Sequence, residues 1–295
     1  MHVDELLTDA SLVQRLMTAQ FPQWARLPIQ PVPSSGTDNA LYRVGSDMVV
    51  RLPRIHWAVD DEGREHQWLP RLAPSLPVAI PLPIARGQPG EGYPWHWSIY
   101  PWLDGENPPL ETVAESDSFA HEVAHFVATL HAVDPQDAPR ASRGVPLATW
   151  DGGRTRAAID AARGLIDTEA AAAAWAAALR MPAWSGSPVW IHGDLMPGNL
   201  LVQRGRLSAV IDWGAFGLGD PATDLMVAWN TFRAKGRNAF RAALEVDDET
   251  WARGRGWALS TGLLALPYYK DTNPVLADNA TFRIGEVLAD YLATG

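Results

Sequence analysis

The sequence predicts an α+β fold in two lobes, a small β-rich one over residues 1–102 and a larger helical one over 103–295. Three observations carry this reading. A chain of 295 residues is at or above the usual ceiling for a single hydrophobic core. Before about residue 103, short runs rich in β-branched and aromatic residues dominate. Beyond it, apolar residues recur at helical spacing.

The elements follow in order. A leading helix is expected over 4–19, then β runs at 29–33, 40–44, 48–53 and 97–102. Gly45-Ser46-Asp47 is a plausible hairpin loop between the second and third runs. One helix, over 60–72, interrupts the strands and carries Trp68, Leu69 and Leu72 toward a core. In the second lobe Phe119, Val123, Phe126, Val127 and Leu130 lie on one face of a helix. Further helices are expected at 153–164, 168–180, 220–233, 237–244, 248–265 and 276–291. The alanine run 170–178 falls in one of them, as alanine's high helix propensity requires. Two short strands, 200–203 and 208–211, are divided by Arg204-Gly205-Arg206.

Composition removes several classes of function. The chain has no cysteine, which excludes disulfides, thiolate metal sites and a cysteine nucleophile. A net charge of −10 argues against nucleic acid or an anionic membrane as partner. No apolar run is long enough to span a membrane, and acidic residues stand where a signal peptide needs basic ones, so a cytoplasmic protein is expected. His121 and His125 are four apart with no third ligand nearby, so zinc chemistry is not expected. No G-x-S-x-G is present to support a hydrolase. The fourteen tryptophans read as core residues and anchors before they read as an aromatic cage for a cation.

The segment 190–214, WIHGDLMPGNLLVQRGRLSAVIDWG, carries the chemistry. His192-Gly193-Asp194 is followed after four residues by Asn199, the spacing of the kinase catalytic loop. Asp212-Trp213-Gly214 then closes an apolar strand, where kinases place a metal-binding Asp-x-Gly. Phosphoryl transfer needs a carboxylate to take the hydroxyl proton and oxygen ligands for magnesium. Asp194 fits the first need; Asn199 and Asp212 fit the second. His192 is expected to hold the loop by hydrogen bonding.

This segment resembles the phosphotransferase family that holds aminoglycoside and macrolide kinases, related to choline and fructosamine kinases. Gly193 stands where protein kinases carry Arg, as is typical of that family, and Gly219-Asp220-Pro221-Ala222-Thr223-Asp224-Leu225 resembles its G-D-P-x-x-D-L segment. The resemblance covers about residues 28–229 and implies the two-lobed protein-kinase-like fold. Asp224 is expected to be a buried scaffold carboxylate capping the loop, and Asp220 a helix cap.

On the nucleotide side, Ser34, Ser35, Gly36 and Thr37 lie where a phosphate-covering loop should be, although alone they read as an ordinary turn. Arg51, on the third run, stands where kinases carry a phosphate-binding lysine; arginine also holds phosphates and stays charged. Its expected partner is Glu65, with Glu62 one turn earlier as runner-up. Adenine would meet backbone groups near Tyr100 and Trp102.

The resemblance implies transfer of a γ-phosphoryl group from magnesium-bound ATP or GTP to a hydroxyl of an aminoglycoside, another amino sugar or a macrolide, with antibiotic resistance as a possible role. A cationic acceptor is expected, met by carboxylates such as Asp271, Asp278 and Glu286 in the divergent tail. A kinase for another small alcohol such as choline is the nearest alternative. A non-catalytic nucleotide-binding regulatory module is the alternative of a different class, favoured by Arg51 and opposed by the complete set Asp194, Asn199 and Asp212. A protein kinase is not expected, because no A-P-E segment follows D-W-G.

Overall fold

The computed structural model describes residues 5–34, 36–59 and 61–294. The chain forms two compact units. The first takes the chain up to Pro74, Ala79–Gly105 and Ala209–Gly214; the second takes Ser75–Val78, Glu106–Ser208 and the chain from Ala215 onward.

The first unit holds α1 (Ala10–Gln20), β1 (Ile29–Pro31), β2 (Asn39–Val44), β3 (Met48–Pro53), α2 (Asp61–Leu72), β4 (Ala85–Gly87) and β5 (Trp97–Pro101). These strands form one antiparallel sheet in the order β1-β2-β3-β5-β4. The expected hairpin turn joins β2 to β3, with Val44 opposite Met48. Side chains alternate across a strand, so Val50 and Leu52 of β3 enter the core with Val13, Leu16 and Met17 of α1. That register turns Arg51, between them, to the other face of the sheet. Trp68, Leu69 and Leu72 of α2 are buried, as expected. Residue 4, where the leading helix was expected to start, lies outside the described residues; the helix begins at Ala10, because the Asp9 carboxylate caps it, accepting from the Leu12 N–H at 2.7 Å. The three-residue β4 was not expected; it is an edge strand on β5.

The second unit holds α3 (Leu110–Val113), α4 (Asp117–His131), α5 (Leu147–Asp151), α6 (Arg154–Ala161), α7 (Thr168–Leu179), β6 (Val189–Ile191), β7 (Leu200–Gln203) and β8 (Arg206–Val210), whose last two residues pass into the first unit. After Gly214 follow β9 (Gly217–Gly219), α8 (Val227–Thr231), α9 (Ala234–Leu244), α10 (Asp248–Tyr269) and α11 (Pro274–Thr294). β6 pairs antiparallel with β9, and β7 and β8 form a second two-stranded sheet. Phe119, Val123, Phe126, Val127 and Leu130 of α4 are buried, the face the spacing predicts. Burial at about 1.5–3 kcal/mol per large apolar side chain holds such a helix, which would be marginal alone. The alanine helix α7 starts at Asp167, whose Oδ1 accepts from the Ala170 N–H at 3.0 Å. The helix expected over 220–233 divides. Asp220 Oδ1 accepts from the Ala222 N–H at 2.9 Å, residues Pro221–Met226 wind as a 3-10 helix, and only Val227–Thr231 is α-helical.

Candidate active site

In the second unit the loop 192–199 leaves β6 and enters β7. Its backbone is held from below by Asp224, which is fully buried: the N–H groups of His192 and Gly193 donate to its Oδ2 and Oδ1 at 3.0 and 2.8 Å. His131 of α4 reaches the same carboxylate at 3.2 Å. Hydrogen bonds onto an ionised acceptor are the strong kind, so a buried carboxylate here fixes the loop. Gly193 has φ +82, and a Cβ there would come 2.7 Å from the Ala215 carbonyl oxygen, so no other residue fits without moving the chain. The buried His192 accepts the Asp194 N–H on its Nδ1 at 3.2 Å, a role in loop geometry.

Asp194 presents its side chain from this frame, 30% exposed. Its Oδ1 accepts from Arg143 Nη1, which also donates to the Gly193 carbonyl at 2.9 Å. Burial pushes the Asp194 carboxyl up, but Arg143, then Arg283 and His192, outweigh it and hold the carboxyl below its usual range. Asn199 is buried; its Nδ2 donates to the Asp194 carbonyl at 2.8 Å, which fixes the orientation of its amide group. Asn107 secures the far end of the loop, donating to the carbonyls of Gly198 and Leu200 at 2.9 and 3.0 Å.

The first unit assembles a second cluster. Arg51 Nη1 lies 2.6 Å from Oε1 of the fully buried Glu65, and the Tyr100 hydroxyl donates to Oε2 of the same carboxylate. Burial opposes the charge on Arg51, but Glu65, Tyr100 and Asp212 hold its pKa well above the ordinary arginine value. Burial, then the Glu65 carboxylate, pushes the Tyr100 phenol up, so it stays a donor. Asp212 follows β8, as expected for the Asp-x-Gly; its side chain is half exposed and its Oδ1 lies 3.8 Å from Arg51 Nη2. Asp212 has φ +62, an uncommon conformation for a residue with a Cβ and one that concentrates at functional positions. The indole of the buried Trp213 anchors the turn, donating to the Val210 carbonyl at 2.9 Å.

The other residues expected on the nucleotide side are less engaged. Ser34 Oγ accepts from the Gly36 N–H at 3.0 Å, a local turn, and Thr37 is buried with its hydroxyl 3.2 Å from Asp38 Oδ1. Ser35 and the side chain of Glu62 lie outside the described residues. The Trp102 N–H donates to the Asp47 carbonyl at 2.7 Å, and Arg43 lies over the Trp102 ring at 4.2 Å. Among the described residues no group of three His, Cys, Asp or Glu could hold a metal with protein ligands alone. The Asp212 carboxylate and the Asn199 amide oxygen are nonetheless hard oxygen donors of the kind magnesium takes when phosphates complete its shell.

Residues 29–257 match the phosphotransferase enzyme family. The chain belongs to that family. It is thus a phosphotransferase of the kinase type. It is similar to the uncharacterized protein YcbJ of Bacillus subtilis (strain 168), 27% identical over 230 residues, covering 72% of this chain and 71% of that one. Its fold is shared with APH(2")-IIIa in the GDP and kanamycin complex, at a TM-score of 0.71, 20% identity, and 94% and 98% coverage of the two chains. A macrolide 2'-phosphotransferase of Brachybacterium faecium aligns at a TM-score of 0.60, 24% identity, and 90% and 97% coverage. Among the described residues of this phosphotransferase, no helix is long and apolar enough to cross a membrane.

Sequence reasoning did not find Arg143, Arg283 or Asn107. Each lies far along the chain from the loop it touches or faces, and none belongs to a spaced motif. Arg143 precedes Gly144, the one local signal available, since that glycine has φ +81. The carboxylates expected to meet a cation are otherwise occupied or open to solvent. Glu286 pairs with Arg237 at 2.7 Å and Arg233 at 3.7 Å, while Asp271 and Asp278 are exposed.

Proposed function

We propose that this phosphotransferase moves the γ-phosphoryl group of magnesium-bound ATP or GTP to a hydroxyl of a small molecule. The observation that carries the proposal is the construction of the 192–199 loop. Asp224, His192 and Asn199 all bind its backbone, and the one carboxylate it presents is Asp194. A loop held this tightly is what a positioned general base requires.

The acceptor hydroxyl gives its proton to the Asp194 carboxylate. The oxygen so freed bonds to the γ-phosphorus as the bond from that phosphorus to the β–γ bridging oxygen breaks, and the nucleoside diphosphate leaves. Arg51, held by Glu65, steadies the α- and β-phosphates. Asn199 and Asp212 would hold magnesium, which when bound offsets the charge developing on the phosphates. Ser34, Ser35, Gly36 and Thr37 would cover the phosphates, and backbone groups of Tyr100 and Trp102 would meet the base. Since the Trp102 N–H is engaged by Asp47, its carbonyl is the group left for that contact.

Kinship favours an aminoglycoside, another amino sugar or a macrolide as acceptor, with antibiotic resistance as the consequence and the cytoplasm as the place where nucleotide is at hand. The residue paired with Asp194 favours a different charge on the acceptor, since it is an arginine, Arg143. The test of the phosphotransferase reading is magnesium-dependent nucleotide consumption over a panel of amino sugars, macrolides, choline, neutral polyols and hydroxy acids. Stimulation by a member of the panel is expected. No stimulation, together with no calorimetric binding of magnesium-nucleotide, would refute the reading.

A further inference from the structure

Two arginines are tied to the loop that carries Asp194: Arg143 pairs with the carboxylate, and Arg283 is linked to the next residue through side chains, since Asn279, which it holds, donates to the Asn230 carbonyl at 3.5 Å and Asn230 Nδ2 to the Leu195 carbonyl at 2.8 Å. Against the one carboxylate of Asp194, one positive charge is left over. The segment that carries Arg143, between α4 and α5, is built into the unit. The Ala141 N–H donates to the Leu218 carbonyl at 3.0 Å, the Leu218 N–H to Pro139 at 2.8 Å, and the Asp220 N–H to Gly144 at 2.9 Å. A Cβ on Gly144 would come 2.7 Å from Ile191 Cδ1 and 2.9 Å from the Gly219 Cα, so this close approach requires glycine beside Arg143. Such backing fixes where the guanidinium stands.

Arg283 comes from α11 and is 5% exposed. Its Nη1 donates to Thr261 Oγ1 and its Nη2 to Asn279 Oδ1, both at 2.8 Å, and its Nε has no partner. Both hydrogen-bonding partners are neutral, and Asp194 is the carboxylate whose charge it feels. Burial pulls its pKa down to about 10, with Asp194 opposing and Arg143 adding to the fall. A buried cation with only neutral hydrogen-bond partners is costly to keep, and an anion brought beside it would offset that cost.

We infer that Arg143 and Arg283 form a subsite for an anionic group on the acceptor, so that the acceptor is a hydroxylated small molecule bearing a carboxylate or a phosphate. This rests on the phosphotransferase reading of Asp194 and adds to it the charge of the molecule it deprotonates. Arginine's planar fork suits both oxyanions bidentately. When the acceptor's anion takes the Arg143 fork, Asp194 Oδ1 is released for the hydroxyl. An amino sugar has the opposite charge and would meet the surplus of positive charge with repulsion.

The test uses the full chain with its nucleotide site held by magnesium and a non-hydrolysable ATP analogue. Four glucose-derived probes are titrated calorimetrically: gluconate, glucose 6-phosphate, glucose and glucosamine. At least one of the two anions is expected to bind about tenfold or more tighter than glucose and glucosamine, and which one it is separates carboxylate from phosphate. Arg143→Gln should lose about tenfold or more of that affinity and Arg143→Lys should recover part of it. Arg283→Lys, which keeps the charge in the buried position, replaces Arg283→Gln should the latter not fold, and should also weaken the anion. Glucosamine or glucose binding as well as both anions overturns the inference. So does binding of neither anion, or anion affinity unchanged in Arg143→Gln. The titration of the nucleotide analogue is read first. A protein that takes the analogue but no anion refutes the subsite alone. One that takes no analogue refutes the phosphotransferase reading, and the anion ordering is then judged on the free protein by the same criteria.

Discussion

Glu65→Ala tests the first unit's charge cluster. Glu65 is fully buried and accepts from both Arg51 and the Tyr100 hydroxyl. Its removal leaves the largely buried Arg51 guanidinium with Asp212 at 3.8 Å as the remaining carboxylate. Breaking a buried pair by deleting one partner costs about 3–5 kcal/mol, because the other charge stays desolvated. Against a total stability of roughly 5–15 kcal/mol, that is a large fraction. At about 2–4 °C per kcal/mol for a chain of this length, the midpoint of thermal unfolding should fall by roughly 6–20 °C. Tyr100→Phe removes a single hydrogen bond to the same carboxylate and should cost less, about 1.5–3 kcal/mol. The assay is thermal unfolding by circular dichroism, with urea titration for the free energies. A Glu65→Ala loss under about 1 kcal/mol would refute the reasoning, since the pair would then contribute no more than a surface ion pair does.

Asp212→Ala should weaken calorimetric binding of magnesium-ATP more than Asn199→Ala does, because a carboxylate interacts with a dication far more strongly than an amide; equal affinity of Asp212→Ala and the parent contradicts the metal assignment. Arg51→Lys should keep substantial activity while Arg51→Ala raises the nucleotide KM and lowers kcat; unchanged kinetics in the alanine variant would remove Arg51 from the nucleotide site. Arg143→Gln removes the main influence that lowers the Asp194 carboxyl, so its pKa rises. A base works only when ionised, so the acid limb of the kcat/KM profile should move to higher pH; a limb that stays in place or moves down contradicts the pairing.

The construction of the second unit's loop 192–199 was legible because its residues are neighbours in sequence. His192, Gly193, Asp194 and Asn199 fall within a single turn of chain between two strands, and Asp224 is announced by the segment around Gly219 and Pro221. The Arg51–Glu65 pair was legible by analogy with kinases, which carry a phosphate-binding residue on the third strand and a helix glutamate to hold it; the alternation of Val50, Arg51 and Leu52 agrees with that placement. Arg143 and Arg283 were not, because their proximity to Asp194 depends on how a loop packs on β9 and how α11 packs on α10. An arginine on a helix such as α11 looks like a solvated side chain until Thr261 and Asn279 are brought around it. The strands β4, β6 and β9 escaped for a related reason: three residues carry no alternation to read, and pairing alone defines them. The length of the leading helix was misjudged because Asp9 reads equally well as a cap or as an interior polar residue.

The central claim is that Asp194 is the general base of a phosphotransferase. Its most direct measurement is the turnover of Asp194→Asn against the parent, with saturating magnesium-nucleotide and the best acceptor from the panel, alongside calorimetric nucleotide affinity for both proteins. Turnover lower by roughly 10²–10⁴-fold, with nucleotide still bound, is the predicted result. Turnover within about threefold of the parent would contradict the claim, because a positioned base is worth far more than that.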